Sequence, residues 1–322
     1  MPQRKNGKFY NHLPDEKQES PEWLIPSIKM YLKGRRLRQK HTPNLDAWLE
    51  PYKGYKSAQE PIITWLGHAS MLVQMGGLNI LADPIFDKPS FLYPRALPFG
   101  AQDHELPKID VVVLSHNHRD HMDEPTLRWL HKHHDPLFLV PEGDKYWFLK
   151  RKMPKVEEFM WWETLEVQGV DITFVPAWHW SQRGLFDHNT SLWGGWVFDA
   201  LGHTVYFGGD TAYSQQYFKA IGEVFPDIDV AIMPAGPCDP DEWMRKSHMN
   251  AEEAGQAFLD CKARYFIPMH WGTFYFGTDL FDTPVKRLED WWGQNENQLP
   301  ERSLCLSKVG QHFHLEHHKN SF

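Results

Sequence analysis

From Pro61 onward the chain carries short apolar runs bounded by Gly, Pro, Asp and Asn, a pattern that predicts β-strands rather than long helices. Ile62–Leu66 reads as a strand, and Met71–Gln74 and Leu78–Ala82, joined by Gly76-Gly77, read as a hairpin. Further strands are predicted over Ile109–Leu114, Leu137–Val140, Asp171–Pro176, Leu192–Phe198, His203–Phe207, Val230–Pro234 and Phe266–Met269, with one or two more after Pro300. Helical spacing is confined to Glu124–His134, Asp144–Lys152 and Ala251–Cys261. Asp123 and Asn250 stand where N-caps belong, Pro125 falls in a first turn, and Glu253 completes a capping box. Strands outnumber helices in both halves, and each half mixes hairpins with strand–helix units. The expected fold is α/β (α+β), with two mixed sheets face to face and helices outside.

Two stretches break this pattern. Residues 1–60 show little strand signal and are set apart as an N-terminal extension, leaving 61–322 as the main domain. Within the extension, residues 21–40 interleave Trp23, Leu24, Ile25, Ile28, Tyr31 and Leu32 with Lys29, Lys33, Arg35, Arg36, Arg38 and Lys40. Such a basic amphipathic segment can lie on an anionic membrane surface, or pack on the body with its charges in water. Pro84–Pro107 is a proline-rich loop long enough to suggest that it covers a substrate.

The chemistry concentrates after the strand Ile109–Leu114, in Ser115-His116-Asn117-His118-Arg119-Asp120-His121. His116 and His118, two apart, project to one side of an extended loop. Asp120 and His121 fall where the chain turns toward a helix and so point elsewhere. One loop can then serve two neighbouring metal ions. Three other strands end in ligand-grade residues: Asp171–Val175 leads to His179, Thr204–Phe207 to Asp210, and Phe266–Met269 to His270. If these ends share one edge, His116, His118 and His179 hold one ion, Asp120, His121 and His270 hold a second, and Asp210 bridges them. Imidazole and carboxylate without thiolate suit two Zn²⁺, with Mn²⁺ or Fe as alternatives. His131, His133 and His134, which lack a strand-end setting, and the late His312, His314, His317 and His318 are expected at the surface.

Composition narrows the partners. A net charge of −8 argues against nucleic acid as the partner. Cys238, Cys261 and Cys305 are far apart without C-x-x-C spacing, which suits a reducing compartment. With no apolar run near the ~18 residues of a membrane span and no signal-peptide core at Met1–Lys8, a cytoplasmic protein, peripheral at most to a membrane, is expected. Tryptophan is abundant, at 15 residues, and Trp178, Trp180 and Trp271 flank candidate ligands, where they either wall an apolar groove or simply pack.

His116-x-His118-x-Asp120-His121, with Gly208-Gly209-Asp210 and the late His270, resembles the metallo-β-lactamase fold superfamily over about residues 60–310. The resemblance implies an αββα sandwich with a dinuclear site at one edge. Asp210 stands where some β-lactamases carry a cysteine ligand, and a bridging carboxylate is similar to the branches that cleave phosphodiesters, thioesters or lactones. Thr64-Trp65-Leu66-Gly67-His68-Ala69, Asp83-Pro84-Ile85-Phe86, Gly209-Asp210-Thr211, Trp243-Met244-Arg245-Lys246-Ser247-His248 and His270-Trp271-Gly272-Thr273-Phe274 resemble the N-acyl-phosphatidylethanolamine-hydrolysing phospholipase D family. That family implies hydrolysis of a glycerophospholipid phosphodiester.

A water shared by two cations has its pKa lowered enough to attack phosphorus near neutral pH. Asp120 is then a catalytic candidate that orients this nucleophile. His248, in a loop before a helix, is expected to bind a substrate oxygen or assist the leaving group, unless it only makes a local hydrogen bond at the helix start. His68 and Asp83 read as partners of ligand imidazoles or as core hydrogen-bonding residues. The enzymatic alternative is a lactone or carboxylic-ester hydrolase on the same scaffold. The non-enzymatic alternative, a lipid-binding protein with structural metals, needs shells closed by protein, whereas seven ligands over two ions leave room for water.

Overall fold

The computed structural model describes residues 1–11, 32–38 and 43–315. Most of the basic segment expected over residues 21–40, and His317 and His318, lie outside these residues. Residues 32–38 are helical. The chain opens with a hairpin of β1 (Gln3–Lys5) and β2 (Lys8–Tyr10), in a stretch where no strand was expected. Its turn, Asn6-Gly7, has positive φ at both residues, the conformation that an Asn-Gly pair adopts at low cost.

Two seven-stranded mixed sheets follow. The first takes β3 (Ile62–Trp65), β4 (Met71–Met75), β5 (Leu78–Ala82), β6 (Val111–Val113), β7 (Leu137–Pro141) and β8 (Val156–Phe159). The second takes β9 (Thr164–Val167), β10 (Val170–Val175), β11 (Gly195–Ala200), β12 (His203–Phe207), β13 (Ile228–Pro234), β14 (Tyr265–Met269) and β15 (Ser303–Leu304). The last strand, β16 (His312–His314), returns to the first sheet beside β3.

Period-two alternation assigns each side chain to a layer. Val111 and Val113 of β6 join Phe174, Val205, Phe207, Ile232 and Ile267 in the core between the sheets. Val112 and Leu114 face the other way, toward α1 (Glu124–His133) and α2 (Lys145–Lys150), with Leu127, Leu130 and Phe148. Tyr206, Ala231, Met233 and Phe266 likewise meet α3 (Gln215–Val224), α5 (Ala251–Asp260) and α6 (Thr283–Gln294) on the outer face of the second sheet. A short α4 (Asp241–Met244) lies between β13 and α5. The layers are helix, sheet, sheet, helix, the sandwich that the sequence resemblance implies.

The predicted caps are present. Asp123 accepts from the Thr126 N–H at 3.1 Å, and Asn250 and Glu253 form a reciprocal capping box. Each such cap contributes about 1 kcal/mol. Among the described residues, no helix is long and apolar enough to cross a membrane. The three cysteines are unbonded, and Cys238 and Cys261 are buried.

Candidate metal centre

Strand direction brings the chemistry together. In the first sheet, β3, β5 and β6 run the same way and end in Gly67-His68, Asp83 and Ser115-His116. In the second, β10, β12 and β14 run the same way and lead to His179, Asp210 and His270. The two edges close on each other at Gly209. Its φ is +60°, and a Cβ there would lie 2.5 Å from the Ser115 side chain, so glycine is what admits Asp210 beside the His116 loop.

The seven predicted residues meet. His116, His118 and His179 form one group: His116 Nε2 and His118 Nδ1 are 2.7 Å apart, and His179 Nε2 is 3.4 Å from His118 Nδ1. Asp120, His121 and His270 form a second, and His68 joins them with Nε2 3.0 Å from Asp120 Oδ2. Asp210 lies between. Its Oδ2 is 3.9 Å from Nε2 of both His116 and His179, and 3.2 Å from Nε2 of both His121 and His270. The predicted catalytic candidates are here too: Asp120 is partly open to solvent, and His248 has Nδ1 3.8 Å from Asp210 Oδ2.

The far side of most rings is tied, which fixes which nitrogen faces inward. His121 Nδ1 donates to Asp83 Oδ2 at 2.7 Å, His179 Nδ1 to Ser247 O at 2.8 Å, and His270 Nδ1 to Gly236 O at 3.0 Å. The Ser115 hydroxyl donates to Asp83 Oδ2 at 2.5 Å, so at 2.9 Å it accepts from His116 Nδ1. Nε2 of these four rings is thereby the nitrogen that faces the centre.

Electrostatics divide the groups. Burial pushes His118 down to about 4 and His179 to about 3, and lowers His116 well below the ordinary imidazole range, so the first triad is neutral near pH 7. Burial also opposes charge on His270 and His121, but neighbouring carboxylates outweigh it. Asp210 and Asp120 lift His270 to about 9, and Asp210, Asp120 and Asp83 raise His121 well above its usual value. Burial works against ionisation of Asp120 and Asp210 as well, yet His121 and its neighbours hold both well below the carboxylate range. The centre therefore favours positive charge.

The donor set fits metal. His121 Nε2, His270 Nε2, His248 Nδ1 and Asp210 Oδ1 are buried without a hydrogen-bond partner. Each such atom costs about 1–3 kcal/mol unless something satisfies it. Cations would do so through a set of imidazoles and carboxylates of the kind that holds zinc.

Comparison with known proteins agrees. Residues 78–271 match the family model of a beta-lactamase superfamily domain. The chain belongs to the β-lactamase superfamily. This superfamily member is 36% identical over 264 residues to N-acyl-phosphatidylethanolamine-hydrolyzing phospholipase D 1 of Caenorhabditis elegans, covering 77% of the chain and 74% of the relative. It is 35% identical over 245 residues to the mitochondrial N-acyl-phosphatidylethanolamine-hydrolyzing phospholipase D of Saccharomyces cerevisiae, covering 71% of the chain but only 52% of that protein. A possible metal-dependent hydrolase from Veillonella parvula superposes over 80% of the chain and all of the neighbour, with TM-score 0.64 at 18% identity. A metallo hydrolase from Ignicoccus hospitalis does so over 79% of the chain and 97% of the neighbour, with TM-score 0.59 at 20% identity. At those identities the structures bear on the fold alone. The chain is a metal-dependent hydrolase of the metallo-β-lactamase fold.

Some residues differ from the sequence reading. His68 touches Asp120 directly and lies against His270, with the rings tilted by 43° and their centroids 4.2 Å apart. Its place after β3 is the signal that marks it. Trp271 is buried against Trp65 and Trp48 and also borders the cavity beside His270, so it packs and lines at once, while Trp180 has its ring centroid 4.2 Å from that of His118. Asn11, which donates to the His179 carbonyl, carries no motif that sequence could reveal.

Proposed function

We propose that the chain is a dinuclear, zinc-dependent phosphodiesterase that cleaves an N-acylated phosphatidylethanolamine-like phospholipid. The observation that carries this reading is Asp210: a carboxylate set between two ligand groups, in a chain related at 35–36% identity to two proteins named for that reaction. His116, His118 and His179 would hold one ion, Asp120, His121 and His270 the other, and Asp210 both. Bound there, the ions supply the positive charge that lowers the pKa of a water and neutralises charge growing on a phosphoryl group.

The chain's own groups do the rest. Asp120, the more open of the two central carboxylates, orients the attacking water through its free oxygen while His68 holds Oδ2. His248 is brought down to about 3 by burial, so it meets substrate as a neutral ring. A neutral imidazole can donate one N–H to a phosphoryl oxygen but has no spare proton for the leaving alkoxide. A role in binding substrate oxygen therefore fits better than general acid catalysis.

Features around the mouth support a lipid. A cavity of only about 20 Å³ beside His270 is bordered by Trp271, Phe274, Tyr275, Phe276 and Phe281, so aromatic side chains flank the centre. Phe91, Leu185 and Phe186 are 84%, 86% and 93% exposed on loops that reach the centre. Tyr93 packs on Phe276 at 4.8 Å, and Arg183 donates to Met122 O at 2.5 Å. The helical residues 32–38 attach to the same rim, with Arg38 donating to Gly277 O at 3.2 Å and lying over Tyr275, while Lys33, Arg35 and Arg36 are exposed. Apolar tips with basic neighbours suit peripheral contact with a membrane surface.

The test is hydrolysis of an N-acyl phosphatidylethanolamine by the zinc-loaded protein beside Asp210→Ala. Release of phosphatidic acid that the substitution abolishes is the expected result. Turnover of a homoserine lactone or carboxylic ester, with no phosphatidic acid formed, would overturn the phospholipid assignment.

A further inference from the structure

The hairpin β1–β2 lies more than fifty residues before the first sheet in sequence, yet it is wedged against the metal centre. Phe9 is fully buried in the core between the sheets, and its N–H donates to Asn189 O at 2.8 Å. Asn11, also buried, spans two groups that leave its amide only one orientation. Its Nδ2 donates to His179 O at 3.2 Å, and its Oδ1 accepts from Trp193 Nε1 at 3.0 Å. A carbonyl can only accept and an indole N–H can only donate, so the assignment follows from the partners.

The clamped loop reaches the rest of the first triad. The Ser191 hydroxyl donates to Asp144 Oδ1 at 2.8 Å, and the same oxygen accepts from Asn117 Nδ2 at 3.0 Å. Asn117 stands between His116 and His118. All three imidazoles of the first triad are thereby referred to one loop, residues 181–193, and that loop is held in place by the first eleven residues. The loop also touches the chain beside the second group, through Arg183 to Met122 O, but Asn11 itself reaches only His179 and Trp193, while the second group's His121 and His270 are braced by Asp83 and Gly236.

We propose that the N-terminal hairpin is a working part of the metal centre, with Asn11 a positioning residue for His179. The inference rests on the reading of His116, His118 and His179 as metal ligands. Partners that orient a ligand typically change metal affinity by about 10–100-fold. Asn11 acts through the backbone of its ligand, so the lower end of that range is expected.

The experiment is zinc competition against a chromophoric chelator, using the full chain and its Asn11→Ala, Asn11→Asp and Lys5→Ala variants. Asn11→Asp keeps the acceptor for Trp193 but sets an oxygen against the His179 carbonyl. It also provides the reading if Asn11→Ala does not fold. Weakening of one of two zinc-binding events by about tenfold, with the other and Lys5→Ala unchanged, is the expected result. Equal weakening of both events would indicate loosening of the whole fold and overturn the inference, as would unaltered affinities in both Asn11 variants. Parent protein that binds no zinc would remove the metal centre and this inference with it. Selective loss in a protein that turns over no phospholipid leaves the inference standing and removes only the lipid assignment.

Discussion

The two halves of the centre are built from different chemistry. His116, His118 and His179 are buried imidazoles that burial keeps neutral, with no carboxylate of their own. Asp120, His121 and His270 sit among Asp83, Asp120 and Asp210, where charge of both signs is stabilised. A divalent ion entering the first group meets only lone pairs, whereas one entering the second displaces protons held by carboxylate-backed imidazoles. The first group should therefore load with less competition from protons and the second should exchange more readily. Asp210 lies between the two groups, and in the proposed reading it makes them act together.

The severest test of this division is Asp210→Ala, which removes the shared group. Activity should fall by roughly 10³-fold, on the scale of losing a positioned catalytic group, and zinc content should fall in both halves. Loss of zinc from one half alone would break the proposed bridge. Next in size, His179→Ala and His121→Ala should each leave about one ion per chain, the reverse ion in each case. Cobalt substitution would separate them, because a site of three imidazoles and one carboxylate and a site of two of each give different visible absorption. Identical spectra from the two variants would remove the distinction between the halves.

A smaller effect sharpens it. Asp83→Asn leaves His121 Nδ1 without its carboxylate and should weaken the second ion by about 10–100-fold, measured by chelator competition. Asp83 also accepts from Ser115, which touches His116, so a lesser effect on the first ion is expected.

The mildest test is pH. In metal-free protein, His118 at about 4 and His179 at about 3 bind fewer protons than an unfolded imidazole at about 6.5. Stability from this half is thus lost as pH falls from about 6.5 through those values. His270, lifted to about 9, binds more protons than the unfolded chain, and its contribution is lost as pH rises through about 9. Scanning calorimetry with chelator present should show His179→Ala flattening the acid limb and His270→Ala the alkaline one.

Much of this centre was legible in the sequence because ligand residues follow strands, and a strand leaves a short apolar signature just before each. His116, His179, Asp210 and His270 all stand after such runs, and the caps at Asp123 and Asn250 were equally local. Other features were not. β8 and β9 carry Glu157, Glu158 and Glu166 on open edges, which hides their alternation. Leu192–Phe198 reads as a strand, but pairing begins only at Gly195. Leu192 and Trp193 are apolar because they are buried beneath the clamped loop, not because they extend the sheet. α3 and α6 bury Tyr217, Phe218 and Ile221, and Val285 and Leu288, at helical spacing that polar neighbours obscure. Asn11 gains its meaning only from a contact across the fold, 168 residues away in sequence.

The candidate ligands run from residue 116 to residue 270 and belong to both sheets. During synthesis, then, no partial chain carries the full donor set until β14 has formed and docked, and uptake of the ions becomes a late event in folding. Once in place, ions held by both sheets would act as a clasp. They would add stability by mass action, rising with the logarithm of the free metal, and would couple the two sheets so that neither opens alone. Scarcity of metal would then show first as separation of the layers, before any strand is lost.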